Sequence, residues 1–322
     1  MTAKITLALD RYDRHFPFFL GQLDIPPDFE LVPLEVGMAP PRRDGIDRHR
    51  RMLVDKEFDA AETSLASYII AKSRGAPFTA IPVFPRRLFS QNHIFVKDES
   101  IFRHPSDLIG KRTLVWAFQV TMSVLAKGDM RRSYGVDWRS MQWLTLQSEE
   151  VPVSGLPITQ VAPGGNPIQM LRNGEADAFI YPHPPEQAMS GRHGIRRLFA
   201  DPAAECDLYY KQRKYFPIMH LIVLQERVAQ AHPVLPMALM RVWEEAKSIA
   251  RNYYHDPGFG MIALDRLTFE AQETNWNRDI WPSGIEANRL NLQHFIDDMV
   301  DQGLIERPLS VEQLFHESTL NT

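Results

Sequence analysis

The sequence predicts an α/β protein built as two domains, and three observations carry that reading. Short apolar runs alternate with amphipathic stretches through the first half, the pattern of a mainly parallel sheet covered on both faces. The chain has 322 residues, against roughly 100–200 for a usual domain, so two cores are expected. The last third, after a long β-like run at 216–224, reads as helical.

The elements follow in order. Residues 5–9 (Ile-Thr-Leu-Ala-Leu) form a first strand that ends on Asp10, Arg11, Tyr12, Asp13 and Arg14. Residues 29–36 read as the next strand. Ile46, Met52 and Leu53 then lie among Arg48, Arg50 and Arg51 as one helix with a narrow apolar stripe. A short strand at 58–62 leads to Ser64, an N-cap for a helix over 65–74 that Gly75 and Pro77 end. Strands at 79–84 and 93–96 flank a basic turn, Pro85-Arg86-Arg87. Residues 105–111 make one helical turn, stopped by Gly110, before a strand at 113–116. A helix over 119–134, strands at 141–146 and 158–161, and a helix over 168–173 stopped by Gly174 come next. A strand at 178–181 runs into Pro182-His183-Pro184-Pro185. After helical residues 202–212 and the strand at 216–224, helices are expected over 236–254, 261–273 and 285–302. No repeat of solenoid or propeller length occurs.

Composition removes several function classes. Hydrophobic residues are 44% and charged residues 24%, values of an ordinary soluble chain that exclude a disordered or fibrous one. Lys plus Arg is 36 against 40 Asp plus Glu, so no overall positive field exists to hold nucleic acid. The single cysteine, Cys206, rules out an internal disulfide and Cys-rich zinc sites. No apolar run approaches the ~20 residues that span a bilayer, and the start Met1-Thr2-Ala3-Lys4 enters the first strand without a leader pattern. A cytoplasmic location and no membrane partner are expected. No H-E-x-x-H or His-x-His spacing occurs and no nucleotide fingerprint is present, so neither metal nor cofactor is expected. Gly164-Gly165-Asn166 reads as a turn.

Open α/β sheets bind ligands just beyond the carboxyl ends of their strands, which selects the candidate site residues. Arg11, Arg86 and Arg87 offer planar donor forks suited to carboxylates, although any one of them alone is as well explained as a surface arginine. Tyr12 accompanies the first of these. Ser64 and Ser67 open one helix, and Gln119 and Thr121 another, where exposed N–H groups suit an anion and where plain capping competes. Tyr181 and His183 follow a strand, His93 begins one, His15 follows the first strand's tip and His220 sits inside an apolar one. A histidine in an apolar strand is more often a satisfied core residue than a catalyst.

Several segments carry a resemblance. Asp107-Leu108-Ile109-Gly110-Lys111, Met170-Leu171-Arg172-Asn173-Gly174-Glu175-Ala176-Asp177-Ala178 and the returning strand near 220 resemble the type II periplasmic-binding-protein fold. That fold implies two α/β lobes with a ligand cleft between them, the chain crossing twice. Five further segments are similar to the 4,5-dihydroxyphthalate decarboxylase family. They are Ile5-Thr6-Leu7-Ala8-Leu9-Asp10-Arg11-Tyr12-Asp13-Arg14, Phe58-Asp59-Ala60-Ala61-Glu62-Thr63-Ser64-Leu65-Ala66-Ser67-Tyr68, Ile81-Pro82-Val83-Phe84-Pro85-Arg86-Arg87, Tyr215-Phe216-Pro217-Ile218-Met219-His220 and Trp281-Pro282-Ser283-Gly284-Ile285-Glu286-Ala287-Asn288-Arg289. The sequence departs from the family pattern at Gln91, where a histidine is usual, at Ser283 and at Ala117-Phe118-Gln119.

The resemblance implies lobe one at 1–97 plus 219–322, with extra C-terminal helices, and lobe two at 98–218. It implies a non-oxidative decarboxylase of a hydroxylated aromatic carboxylate, with no cofactor. Arg87 matches the family's Pro-x-Arg segment and His220 its Phe-Pro-Ile-Met-His context. Protonating the ring carbon calls for an acid–base group near neutral pH. Glu62 and His220 are the candidate pair, with His183 behind them. The alternative is a solute-binding protein that captures an aromatic carboxylate without catalysis, since fold alone does not settle function. The expected partner is a small aromatic acid, with a second copy of the chain as a further one through the C-terminal helices.

Overall fold

The computed structural model describes residues 2–37, 48–161, 165–184, 186–189, 194–276 and 279–322. Ile46, Gly164 and Pro185, which figure in three of the sequence expectations, lie outside the described residues. The chain divides into two compact units, the first of Met1–Arg86, His220–Leu292 and Leu309–Thr322, the second of Arg87–Met219 and Gln293–Pro308. Each has its own sheet. This is the two-lobed α/β fold of the periplasmic-binding-protein type that the sequence predicts.

The strands are β1 (Ala3–Leu9), β2 (Phe29–Glu35), β3 (Ala60–Ser64), β4 (Phe78–Arg87), β5 (Ile94–Lys97), β6 (Arg112–Val115), β7 (Gln142–Thr145), β8 (Ile158–Gln160), β9 (Ala178–Ile180), β10 (Ile195–Arg197) and β11 (Ile218–Gln225). The helices are α1 (Phe16–Phe19), α2 (Arg48–Leu53), α3 (Leu65–Ser73), α4 (Thr121–Tyr134), α5 (Pro167–Asn173), α6 (Glu186–Met189), α7 (Pro202–Arg213), α8 (Glu226–Ala231), α9 (Leu235–Tyr253), α10 (Asp265–Asn275) and α11 (Arg289–Asp301). No helix among the described residues is long and apolar enough to cross a membrane.

The first unit's sheet runs β2-β1-β3-β11-β4. β1 is parallel to β2 and β3, and β11 is antiparallel to β3 with His220 opposite Ser64 and Ile222 opposite Glu62. The alternation Ile5, Leu7, Leu9 turns one face of β1 into a core shared with Ile81, Val83, Ile222 and Leu224, and Leu239, Val242 and Trp243 of α9 cover it. β11 is buried along its whole length, as a central strand must be, which explains its continuous apolar run.

The second unit's sheet runs β10-β5-β9-β6-β7-β8. β6 is parallel to β7 and β9, whereas β5 is antiparallel to β9 and β10. Phe95, Leu114, Leu146, Ile168, Leu171 and Phe179 make its core. Gly135 and Gly174 end α4 and α5 with φ of +66° and +73°, a left-handed turn that costs other residues more than glycine.

The units differ from the expected lobes in two stretches and at Met219, which ends the first part of the second unit. Residues 87–97 fall in the second unit because β5 hydrogen-bonds to β9 and β10. Residues 293–308 fall there too, where Gln302 Nε2 donates to the Val124 carbonyl (2.9 Å) and Asp301 accepts from Trp138 Nε1 (2.8 Å). Pro85, Arg86 and Arg87 are the end of β4 and not a turn. The expected helix start at 119 moves to Thr121, and Phe118 and Gln119 lie in the turn before it with their N–H groups given to Glu149.

Gly128 on α4 shows where close packing overrides helix propensity. Alanine inside a helix normally stabilises by about 1 kcal/mol over glycine. Here a Cβ would run into the Asp298 carboxylate, which Arg132 holds in place. Gly128→Ala is expected to lower stability by about 1–3 kcal/mol, read by urea unfolding.

Candidate functional site

Glu62 occupies the middle of β3 in the chain order Ala-Ala-Glu-Thr-Ser, an odd place for a carboxylate because every residue of that strand is buried. Side chains two apart share a sheet face, so Glu62 points the same way as Ser64, and His220 stands opposite Ser64. His220 is therefore the diagonal cross-strand neighbour of Glu62, within reach of a long side chain. His220 Nδ1 lies 2.5 Å from Glu62 Oε1. The Glu62 side chain has no exposed surface and that of His220 is 10% exposed, so the histidine is the member of the pair that meets the outside.

Arg48, on the short helix α2, supplies the counter-charge. Its Nη2 is 3.2 Å from Glu62 Oε2, its Nε donates to the Glu62 carbonyl at 2.8 Å, and its Nη1 is 3.6 Å from Asp10 Oδ2 and donates to the Val36 carbonyl. Asp10, just after β1, gives its own N–H to Glu62 Oε2 (3.2 Å). Burial would push the Glu62 carboxyl up, but Arg48, His220 and His15 together hold it well below the usual carboxylate range. Burial pushes His220 down from its usual value against the pull of Glu62, with His49 and Arg86 adding to the fall. The pair is an ionised carboxylate and a neutral imidazole. A carboxylate only accepts, so the proton is on His220 Nδ1 and the lone pair is on Nε2.

Around this pair the first unit gathers more of the expected residues. Tyr12 Oη donates to Asp10 Oδ2 (3.4 Å) and Arg86 Nη1 donates to Tyr12 Oη (3.4 Å). Burial, then the Glu62 charge, keep the Tyr12 phenol protonated. Ser64 is the N-cap of α3, its Oγ accepting from the Ser67 N–H (3.4 Å) and from Ser67 Oγ (3.2 Å), which is the capping reading of both serines. Arg11 goes elsewhere. Its guanidinium pairs with Glu35 at 3.3 Å and is 57% exposed, the ordinary surface-arginine alternative.

The second unit holds the other expected residues. Tyr181, just beyond β9, stacks on Phe179 (5.2 Å) and packs near His183 (5.7 Å) and Trp116 (5.6 Å). His93 donates from Nδ1 to the Tyr181 carbonyl (3.0 Å). These aromatic groups form one patch at the strand ends, and His183 belongs to it. Arg87 is buried and gives Nη1 to the Phe216 carbonyl at 2.7 Å, so at least one arm of its fork serves the backbone. Glu149 accepts from the Phe118 and Gln119 N–H groups (2.8 and 2.9 Å), while buried Lys127 donates to the Phe118 carbonyl (2.9 Å). That clamp fixes the turn leading into α4. Thr121 starts the helix, and the buried Gln119 amide has no partner among the described residues.

Two residues escaped the sequence reading. Arg48 and His49 look like part of a basic helix face, yet Arg48 and Met52, and His49 and Leu53, are four apart and all four are buried. The period of the apolar stripe was the available signal, since i and i+4 share a face. His49 Nδ1 accepts the Ser64 N–H (3.1 Å), and its ring lies 4.8 Å from that of His220. Among the described residues no group of three or more His, Cys, Asp or Glu is placed to hold a metal ion.

With fold and geometry in view, comparison with known proteins places the chain. Its fold is that of periplasmic binding proteins. The aliphatic sulphonate binding protein SsuA from Escherichia coli matches over 100% of both chains with a TM-score of 0.61 at 13% identity. The desulfurization enzyme DSZB matches over 99% of this chain and 98% of its own, with a TM-score of 0.55 at 14% identity. Such identities establish the fold alone, and the fold carries both binders and enzymes.

The nearer likeness is in sequence. A 4,5-dihydroxyphthalate decarboxylase of Comamonas testosteroni is 27% identical over 334 aligned positions, covering 99% of this chain and 98% of that one. A second, of Pseudomonas putida, is 28% identical over 174 positions, covering 49% of this chain and 66% of that one. The resemblance to the 4,5-dihydroxyphthalate decarboxylase family holds over the length of the chain. No family model matches it.

A pH dependence of stability follows from the buried histidines. His15 is fully buried, with Nδ1–H on the Asp10 carbonyl (2.8 Å), and burial lowers it from 6.5 to about 4. The folded pKa lies below the unfolded one, so its contribution is complete above pH 6.5 and is lost as pH falls toward 4. His15→Gln removes that contribution, and the stability loss between those pH values, read by urea unfolding, is expected to shrink by up to about 3 kcal/mol.

Proposed function

We propose that the chain is a non-oxidative decarboxylase of a hydroxylated aromatic carboxylate resembling 4,5-dihydroxyphthalate. The observation that carries this reading is the Glu62–His220 pair, an ionised carboxylate behind a neutral histidine whose outer nitrogen can take and return a proton. The full-length likeness to the Comamonas testosteroni decarboxylase supports the substrate class.

The chemistry needs one proton carrier. His220 Nε2 takes the proton of a ring hydroxyl conjugated with the carboxyl-bearing carbon, and the phenolate oxygen pushes an electron pair into the ring. That carbon accepts the proton back from His220. The bond to the carboxylate then breaks, its electrons restore the aromatic ring, and CO2 leaves. The oxygen is reprotonated from solvent, so one proton is consumed for each CO2 released. Glu62 donates nothing. It stabilises the transient imidazolium and holds its tautomer, as an ionised carboxylate behind a histidine does. In this reading Arg86, which donates to Tyr12 Oη, receives a substrate carboxylate near this pair.

Incubation with 4,5-dihydroxyphthalate, phthalate and hydroxybenzoates, with CO2 release followed beside binding heat, tests the reading. Turnover is expected only where a hydroxyl is conjugated with the departing carboxylate. His220→Asn is expected to lower kcat about 10²–10⁴-fold with folding checked by circular dichroism. The acid limb of kcat/KM is expected below pH 6.5, because the base is depressed in the free protein. Binding without CO2 across the panel would overturn the proposal in favour of a solute-binding protein.

A further inference from the structure

The hydrogen bond between His220 and Glu62 fixes one atom of a ring and leaves the ring free to turn about that contact. A proton carrier must be held more closely than this, since a displacement of about 1 Å can cost 10²-fold in rate. The structure holds a second constraint. His49 packs against His220 at 4.8 Å between ring centroids and 74° between planes, an edge arrangement that blocks such turning. His49 is itself fixed. The Ser64 backbone N–H can only donate, so His49 Nδ1 is unprotonated and a neutral His49 carries its proton on Nε2. Ser64 also begins α3 and stands opposite His220 in the sheet. The clamp is therefore built on the register that brings His220 to Glu62.

We propose that His49 is a positioning residue for His220: tied by Nδ1 to the Ser64 N–H, it sets the plane of the His220 ring and so the direction of its Nε2. The titratable and charged groups that act on the His220 ring are Glu62 on β3, His49 on α2 and Arg86 on β4, with Arg48, Asp10, Tyr12 and His15 gathered behind Glu62. Glu62 anchors and Arg48 balances the charge, while His49 supplies orientation. The inference rests on His220 as the proton carrier, but its geometric half can be read without turnover.

Two variants separate ring from acceptor. His49→Asn keeps an acceptor for the Ser64 N–H and removes the ring, whereas His49→Phe keeps a ring and removes the acceptor. His49→Asn is expected to lower kcat about 10²-fold with KM nearly unchanged, and to shift the acid limb of the pH profile upward. In nitrogen-resolved NMR of the protein without substrate, the His220 Nδ1–H should exchange with water at least ~10-fold faster in His49→Asn than in the parent, an order set by loss of a local constraint. His49→Phe, which keeps a ring without the tie to Ser64, should show a smaller fall in kcat and a smaller rise in exchange than His49→Asn, at reduced stability from the loss of that hydrogen bond. Should His49→Asn fail to fold, His49→Gln makes the same test. Unchanged exchange in His49→Asn or His49→Gln overturns the proposal, as does a fall in His49→Phe as deep as theirs. A parent protein without turnover on any acid would sink the decarboxylase reading and leave the NMR comparison to judge His49.

Discussion

The contact on which the site depends is the ion pair of Arg48 with Glu62, two groups without exposed side-chain surface. A carboxylate taken out of water is stable as a charge only when a counter-ion and hydrogen bonds replace its hydration. Arg48 replaces it from one side and the Asp10 N–H assists. The arginine in turn gives Nη1 to the Val36 carbonyl and Nε to the Glu62 carbonyl. Such a pair adds little net stability over well-packed apolar residues, but removing one partner strands the other. The end of β1, the short helix α2 and β3 are thus tied to each other by charge. The apolar core closes around that arrangement, and His220 enters it from a strand that is otherwise apolar.

The neutrality of His220 follows from the same pair. If Glu62 had no other partner, the least costly way to bury it would be to protonate the histidine beside it. Arg48 makes that unnecessary, and burial then favours the uncharged imidazole. The result is a base whose resting state is ready to take a proton and whose charged state has a carboxylate 2.5 Å away. The expectation of Glu62 and His220 as an acid–base pair is corrected in this sense. They are brought together, and in the proposed function only the histidine moves a proton.

Much of this was legible in the sequence. Strand periodicity placed β1, β3 and β9, Gly135 and Gly174 lie where helices end, and the strand-end rule pointed to Glu62 while the Phe-Pro-Ile-Met-His resemblance pointed to His220. What escaped has a common cause. Arg48 and His49 face inward although their neighbours Arg50 and Arg51 face outward, and a basic stretch hides a buried arginine until its counter-ion is known. That counter-ion is 14 residues away in the chain, across a strand boundary. The strand β10 was missed because three residues, Ile195, Arg196 and Arg197, carry too little pattern to register. Arg11 was over-read for the opposite reason, since a strand-end arginine is equally suited to a surface partner, and Glu35 on the adjacent strand provides one.

Binding alone would not require this arrangement. A site that only captures an acid needs fixed donors, and arginines near the surface supply them without burying a charged pair in a core. A buried carboxylate, its arginine and a neutral histidine cost desolvation that ligand capture does not repay. The proposed proton transfer gives it a use, because a histidine that changes charge needs a partner whose charge does not. Glu62, ionised before and after His220 takes a proton, meets that requirement. The same fold in sulphonate-binding proteins and in a desulfurization enzyme shows that the sheets can serve either task. In this chain two inward strand positions of the first sheet hold Glu62 and His220.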